Sequence, residues 1–295
     1  MSASIIIPFY KDVSGLSVTL SALRRCAYVE GCEVIVVDNG SPISVESITR
    51  QFPEVLTTHE RTPGSYAARN HGIQSCNGEV VFLLDAGCIP SKEWITAGLA
   101  FLEANPNVDF VGGNIRLTGA PWDQATLAEK YEMLFAFRQQ HSVEVGKVSV
   151  TANMAIRRRC FDKAGLFDAT MLSGGDLLWC KRAQAAGLTI GYCHEMSVGH
   201  PMRTTVRELV KKKRRTEAGG LVLYRKLYGR LAAFYRLIYP GVPLVHTINA
   251  LVLRKHEIRP TLPDTIRMLA LLAYLSLVGY GAKLRLVLTG AAERE

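Results

Sequence analysis

None of the seven cysteines in this 295-residue chain sits in a CxxC pair, and the odd count excludes a framework in which every thiol is bridged. They read as structural thiols of a reduced compartment. The opening stretch MSASIIIPFYKDVSG lacks a basic n-region and a long apolar run, so no secretory signal is legible and the expected location is cytoplasmic. Internal repeats and low-complexity tracts are missing. No uncharged stretch reaches the roughly 20 residues that a spanning helix needs. Two apolar segments near the end fall short of it: Leu237 to Leu253, interrupted by Pro240, Pro243, His246 and Asn249, and Met268 to Ala282. They read as re-entrant, interfacial or buried helices. Acidic residues are scarce after position 200, where 18 Lys and Arg stand against 6 Asp and Glu; residues 1 to 200 hold 17 against 20. The net charges, +12 and −3, separate a near-neutral body from a basic segment suited to an anionic surface.

What is present suits a folded enzyme-sized body. An apolar share of 48% with 21% charged residues excludes disorder, and a chain of this length buries roughly 75% of its unfolded surface. Short β-branched runs alternate with amphipathic stretches. SIIIP (4 to 8) is followed by Leu16, Leu20 and Leu23 at helical spacing, then by EVIVVD (33 to 38) and VLTTHE (55 to 60). A helix is expected over SYAARNHGIQSC (65 to 76), a strand over EVVFLLD (79 to 85), and a helix carrying Trp94, Ile95, Leu99 and Leu102. Near-continuous apolar strands between helices predict a mainly parallel sheet covered on both faces. Ligands of such sheets sit at the carboxyl ends of the strands, so Pro8 to Asp12, Asp38 to Ser41 and Asp85 to Pro90 should line one cleft.

Asp38, Asp85 and Asp176 each follow an apolar or Gly-rich run that would deliver a carboxylate to that cleft. The ordered blocks SIIIPFYKD, VIVVDNGSPI, TPGSYAARNHGI, GEVVFLLDAGCIP, TANMAIRRRCFDKAGLFD, SGGDLLWCKRAQAAG and VGHPMRTT resemble those of the family 2 glycosyltransferases. The resemblance covers roughly residues 3 to 220. It implies an α/β nucleotide-diphospho-sugar transferase (GT-A, Rossmann-like) fold, with a catalytic domain over 1–205 and a basic, apolar helical region over 206–295. It also implies an inverting transfer from a nucleotide-sugar, UDP-sugar foremost, to a saccharide or lipid-linked acceptor in polysaccharide or glycoconjugate assembly. Transfer to a polyprenyl phosphate and a catalytically silent nucleotide-sugar binder stand as alternatives.

By the same resemblance Pro8, Tyr10 and Asp38 form the base pocket with Arg69 and Asn70 nearby, Asp85 reaches the ribose and diphosphate, and Asp176 is the general base. Asn153, Met154 and Trp179 fall on the acceptor side. The chemistry fits these types: a tyrosine face stacks on a base, an aspartate accepts from a base imide, and a carboxylate raised by burial beside Trp179 deprotonates an acceptor hydroxyl. The acidic pair expected at Asp85 is broken, since Gly87 takes the second position. Either Asp85 and His200 hold Mg2+ or Mn2+ with water, or cations such as Lys11 and Arg203 replace it. Arg182 is expected to hold the Asp176 helix. Beyond the body, Arg207, Lys211, Arg214 and Arg215 share one helical face that suits anionic headgroups. Aromatics are not interleaved with that basic run, which argues against nucleic acid. The expected location is peripheral, at the cytosolic face of the plasma membrane.

Overall fold

The computed structural model describes residues 1–27, 29–238 and 261–290. Seven buried or half-buried residues, Ala3–Phe9, form β1, which pairs in parallel with β2 (Cys32–Asp38) and with β4 (Val80–Leu84). β2 in turn pairs in parallel with β3 (Val55–His59). Between them run α1 (Val13–Leu23), a short α2 (Glu46–Thr49) and α3 (Ser65–Ser75). The side chain of Asp12 caps α1 by accepting from the Gly15 N–H at 2.9 Å. The chain continues through β5 (Ile89–Pro90), α4 (Trp94–Ala104), β6 (Phe110–Thr118), α5 (Leu127–Phe135), α6 (Gln139–Glu144), β7 (Asn153–Arg157), α7 (Cys160–Ala164), α8 (Gly175–Ala185) and β8 (Ile190–Pro201).

These strands form one eight-stranded sheet in the order β3-β2-β1-β4-β7-β6-β8-β5. The parallel half is the expected one. Past β4 the direction alternates: β7 runs antiparallel to both β4 and β6, and β5 runs antiparallel to β8. Apolar content announced the strands of the parallel half but carries no record of strand direction, which the connections decide.

Helices cover both faces, as the alternation of side chains shows. Ile6 stands beside Leu83 in the register and so shares its face, which leaves Phe82 on the other. A Cβ at Gly72 of α3 would lie 2.6 Å from Ile6, and one at Gly98 of α4 2.7 Å from Phe82. The two helices therefore press on opposite sides, and glycine permits the close approach. Trp94 meets Phe82 edge to face at 5.0 Å between ring centroids, and Trp179 meets Phe110 likewise at 5.2 Å. All seven cysteines are free thiols. Burial pushes Cys26 up to about 11 and Cys180 to about 12, so they behave as inert core residues.

The chain divides into two compact units. The first comprises 1–116, 138–171 and 175–200; the second takes 117–137, 172–174 and the residues from Pro201 onward. Segment 117–137, expected in the catalytic domain, thus belongs with the C-terminal part. The reason is its amphipathic α5, capped by a Thr126–Glu129 box. Ala128 and Leu134 of α5 share a core with Leu209 of α9 (Val206–Ile238) and with Met268, Leu271, Leu272 and Leu275 of α10 (Leu262–Thr289). α9 breaks at Gly229, where φ is 84°. The apolar segment Leu237–Leu253 lies almost wholly outside the described residues.

At the centre of this second unit Glu132 is 0% exposed. It accepts from Lys212 Nζ at 2.8 Å, from Arg203 Nη1 at 3.0 Å and from the Arg203 backbone N–H at 2.9 Å. Arg203 is therefore a structural partner here, not the free cation proposed for a diphosphate. Burial pushes the Glu132 carboxyl up, but Lys212 and Arg203 outweigh it and hold it below its ordinary range. A depressed carboxyl contributes stability above about pH 4.3 and loses it as pH falls through the folded value. Glu132→Ala, which strands two half-buried cations, should lower the unfolding free energy by about 3–5 kcal/mol in chemical denaturation.

Candidate functional site

The parallel register brings three strand ends to one edge. Phe9 stands opposite Asp38, and Ile6 opposite Leu83, so Pro8 and Asp85 finish at the same level. Pro8 and Tyr10 are half-buried there. Lys11 comes next in a left-handed conformation (φ 64°), with its ammonium 4.6 Å from the centroid of the Tyr10 ring. Asp38 is buried, and its two oxygens are engaged: Oδ1 accepts from the Ser41 N–H at 2.9 Å and Oδ2 lies 3.3 Å from His59 Nδ1. A carboxylate has about four acceptor positions, so capacity for a ligand donor is left.

Asn39 organises the approach to α3. It is buried, accepts from the Gly64 N–H at 2.7 Å and donates to the carbonyls of Glu60 and Thr62. Its amide ties the loop ahead of α3 to the end of β2, and so sets where α3 begins. Sequence motifs did not single out Asn39. Its cue was present in VDNGS, an amide beside a turn glycine, but the partner lies 25 residues away.

α3 then supplies three side chains. Arg69 is buried and ion-paired with Asp85, whose side chain is 37% exposed; its Nε is buried and finds no acceptor among the described residues. Tyr66 is buried, and its hydroxyl donates to Asp176 Oδ1 at 3.1 Å. Asn70 does something other than expected. Its amide donates to the Phe167 carbonyl at 2.8 Å and accepts from the Phe167 N–H at 2.9 Å. It is a clamp on that segment's backbone, committed on both sides, rather than part of a base pocket.

Asp176 opens α8 and is 8% exposed. Its Oδ1 also accepts from the Leu177 N–H at 2.9 Å. Burial raises the carboxyl above its ordinary range, against the lowering influence of that N–H, of Arg69 and of Tyr66. The helix is anchored from below: Trp179 Nε1 donates to the Gly165 carbonyl at 2.8 Å, and Arg182 to that of Leu166.

The three residues read as acceptor contacts are core instead. Asn153, Met154 and Trp179 are fully buried. Asn153 accepts from Trp94 Nε1 and donates to the carbonyls of Asn114 and Met196 at 2.8 Å, which cross-ties three strands and a helix. Trp179 packs among Phe110, Phe161 and Phe167. Block position placed them correctly along the chain but could not tell which face of the strand or helix each side chain takes.

Gly87 has φ 92°, and its N–H donates to the buried Thr19 hydroxyl at 2.9 Å, which itself donates to the Cys88 carbonyl. The Asp85–Cys88 turn is thus held in a shape that favours glycine where a second carboxylate was expected. Ile89 pairs with Gly199, so the register brings His200 alongside that turn. Among the described residues no group of three His, Cys, Asp or Glu side chains is placed to hold a metal. A divalent ion would find one carboxylate and one imidazole, a set that fits only if phosphate oxygens and water complete the shell.

The family model described as Glycosyl transferase family 2 matches residues 4–165. Glycosyltransferase AglE of Haloferax volcanii is 34% identical over 228 residues, 75% of this chain and 73% of that protein. The pre-mycofactocin glycosyltransferase of Mycobacterium tuberculosis is 29% identical over 226 residues, and the match spans less than half, 45%, of that protein. Among solved structures, the Pyrobaculum calidifontis mannosyltransferase PcManGT in complex with GDP-Man and Mn2+ aligns with a TM-score of 0.65 at 17% identity, covering 96% of this chain and 87% of that one. S. aureus TarS 1-349 in complex with UDP aligns at 0.53 and 15%, covering 100% and 93%. The fold is accordingly the GT-A glycosyltransferase fold.

A carboxyl raised by folding destabilises the fold once it ionises. The penalty is absent below about pH 3.9, grows as pH rises, and is complete above the folded value. Asp176→Asn should therefore unfold at a higher temperature than the parent at pH 7, and the difference should vanish near pH 4 in calorimetry.

Proposed function

The chain belongs to glycosyl transferase family 2, and on that premise we propose that it is an inverting glycosyltransferase with Asp176 as general base and a nucleotide-diphosphate sugar as donor. The observation that carries this reading is the buried, proton-affine Asp176, joined through Tyr66 and Arg69 to Asp85 at the ends of parallel strands. Pro8, Tyr10 and Asp38 would hold the base. Tyr10 offers a face for stacking, and Asp38 the acceptor for a ring N–H, which suits the imide of uracil first. Arg69 keeps Asp85 oriented toward the ribose and diphosphate.

The acceptor hydroxyl attacks the anomeric carbon from the face opposite the departing diphosphate. As the new C–O bond forms, its proton passes to Asp176, whose raised affinity for protons brings it closer to the task than an exposed aspartate. Asp85 and His200 would hold a Mg2+ or Mn2+ ion together with the diphosphate oxygens; such an ion stabilises the negative charge of the leaving group. Lys11, beside the same strand ends, offers a cation of the protein's own.

The acceptor is a saccharide or a lipid-linked acceptor, met at an anionic membrane surface that the basic second unit favours. α10 supports this. It is long and apolar enough to cross a membrane by length and composition. One face, however, lies in its own unit's core through Met268, Leu271, Leu272 and Leu275. A helix so anchored rests on a bilayer rather than through it. The opposite face exposes Ile266, Leu269, Tyr274, Leu277 (73%), Leu284 and Leu288. Arg207, Lys211 and Arg214 are exposed in the same unit, while Lys212 and Lys213 are committed to Glu132 and Glu217, and half-buried Arg215 donates to the Leu172 carbonyl.

Asp176→Asn should lower kcat by about 10²–10⁴ with donor affinity kept, measured by release of nucleoside diphosphate. A thermal-shift panel of UDP- and GDP-sugars, with and without Mn2+, identifies donor and metal together. Stabilisation by a nucleotide-sugar without turnover on any acceptor would favour the silent binder, and turnover on polyprenyl phosphate alone would redirect the acceptor. Replacing Arg207, Lys211 and Arg214 with Gln should weaken co-sedimentation with phosphatidylglycerol vesicles by about 3 kcal/mol, roughly two orders of magnitude. Leu277→Glu with Leu284→Glu should abolish it.

A further inference from the structure

We propose that Tyr66 is the positioning residue of the site: its hydroxyl, donating to Asp176 Oδ1 at 3.1 Å, fixes the carboxylate so that Oδ2 is the oxygen presented to the acceptor hydroxyl. The inference deepens the reading of Asp176 as base and rests on it. The second donor to the carboxylate, the Leu177 N–H at 2.9 Å, goes to the same Oδ1. Two donors on one oxygen stop the carboxylate from rotating and leave the other oxygen for the chemistry.

The phenol is itself held on every side. Its ring lies against the backbone of Gly175, where a Cβ would come within 2.7 Å of Cε2, 2.8 Å of Cδ2 and 3.0 Å of Cζ. Glycine just ahead of the base is thereby explained: any side chain there would displace the ring that holds its neighbour. The ring stacks on Phe167 at 5.8 Å between centroids and 28° between planes. Phe167 is in turn fixed by the two backbone hydrogen bonds of Asn70, four residues after Tyr66 on the same helical face. The Arg69 guanidinium lies 5.7 Å from the centroid of the ring and pairs with Asp85. α3 thus carries one residue for the base, one for the carboxylate at the donor end, and one that locks the packing between them.

The charged and titratable groups acting on Asp176 are Tyr66 and Arg69 from α3, Asp85 after β4, and Cys180 on its own helix. Burial pushes the phenol well above its ordinary value, so it stays a donor throughout any working pH range. A hydrogen bond to the charged form lowers a carboxyl's affinity for protons, and its removal raises it.

Tyr66→Phe keeps the ring and its packing while deleting the donor. We expect kcat to fall about tenfold or more with the KM for donor sugar unchanged. The acid limb of the kcat/KM profile should move to higher pH, and the melting temperature should hold within a few degrees. Gly175→Ala displaces the ring but leaves the hydroxyl on it; the same loss of kcat is expected, and this variant carries the test if Phe at 66 impairs folding. Wild-type kcat and an unmoved pH profile in Tyr66→Phe, with Asp176→Asn inactive, would overturn the positioning role and leave the base reading standing. Full activity in Asp176→Asn would overturn both.

Discussion

A carboxylate buried among polar partners is the constraint around which this part of the first unit is arranged. Asp176 meets little solvent, and an uncompensated charge there would simply stay protonated. Three compensations reach it: the Leu177 N–H of its own helix, the Tyr66 hydroxyl, and the positive field of Arg69. Arg69 is itself balanced by Asp85, so positive and negative groups alternate from one strand end to the start of α8. α3 is the element that links them, and Asn39 fixes α3 by holding the loop that leads into it.

The same physics appears in the second unit without any chemistry attached. Glu132 is fully buried and ionised because Lys212, Arg203 and a backbone N–H surround it. Part of the basic run is thereby internal structure, and only its outward residues are available to an anionic surface. Charge counted along a sequence overstates charge presented to a partner, since a paired ammonium is neutralised where it stands.

The turn after β4 shows how an absent side chain can be structural. Position 87 combines a positive φ with a buried hydrogen bond to Thr19, and the backbone there is fixed from beneath by α1. The carboxylate of that turn, Asp85, is the one that Arg69 pairs with.

Local pattern was sufficient for the elements of the parallel half. The apolar runs at 4–8, 33–38 and 79–85 and the helical spacing of Leu16, Leu20 and Leu23 became β1, β2, β4 and α1 within a residue or two, because burial and periodicity are written in consecutive side chains. The ordered motifs likewise put Asp38, Asp85, Arg69 and Asp176 in one reading, and the fold draws Asp85, Arg69 and Asp176 into one network through Tyr66. Strand direction beyond β4 was not legible, nor was the transfer of 117–137 to the second unit. Asn70, Asn153, Met154, Trp179 and Arg203 were also misplaced. For each of these the deciding partner lies far along the chain: Phe167 for Asn70, Trp94 and Met196 for Asn153, Glu132 for Arg203. By itself, then, the amino-acid sequence determined the strands and helices of the parallel half and singled out Asp38, Asp85 and Asp176 as the carboxylates to weigh. Only the tertiary structure decided which polar side chains are consumed by the core and which oxygen of Asp176 is left open, because hydrogen bonding and burial are properties of neighbours in space.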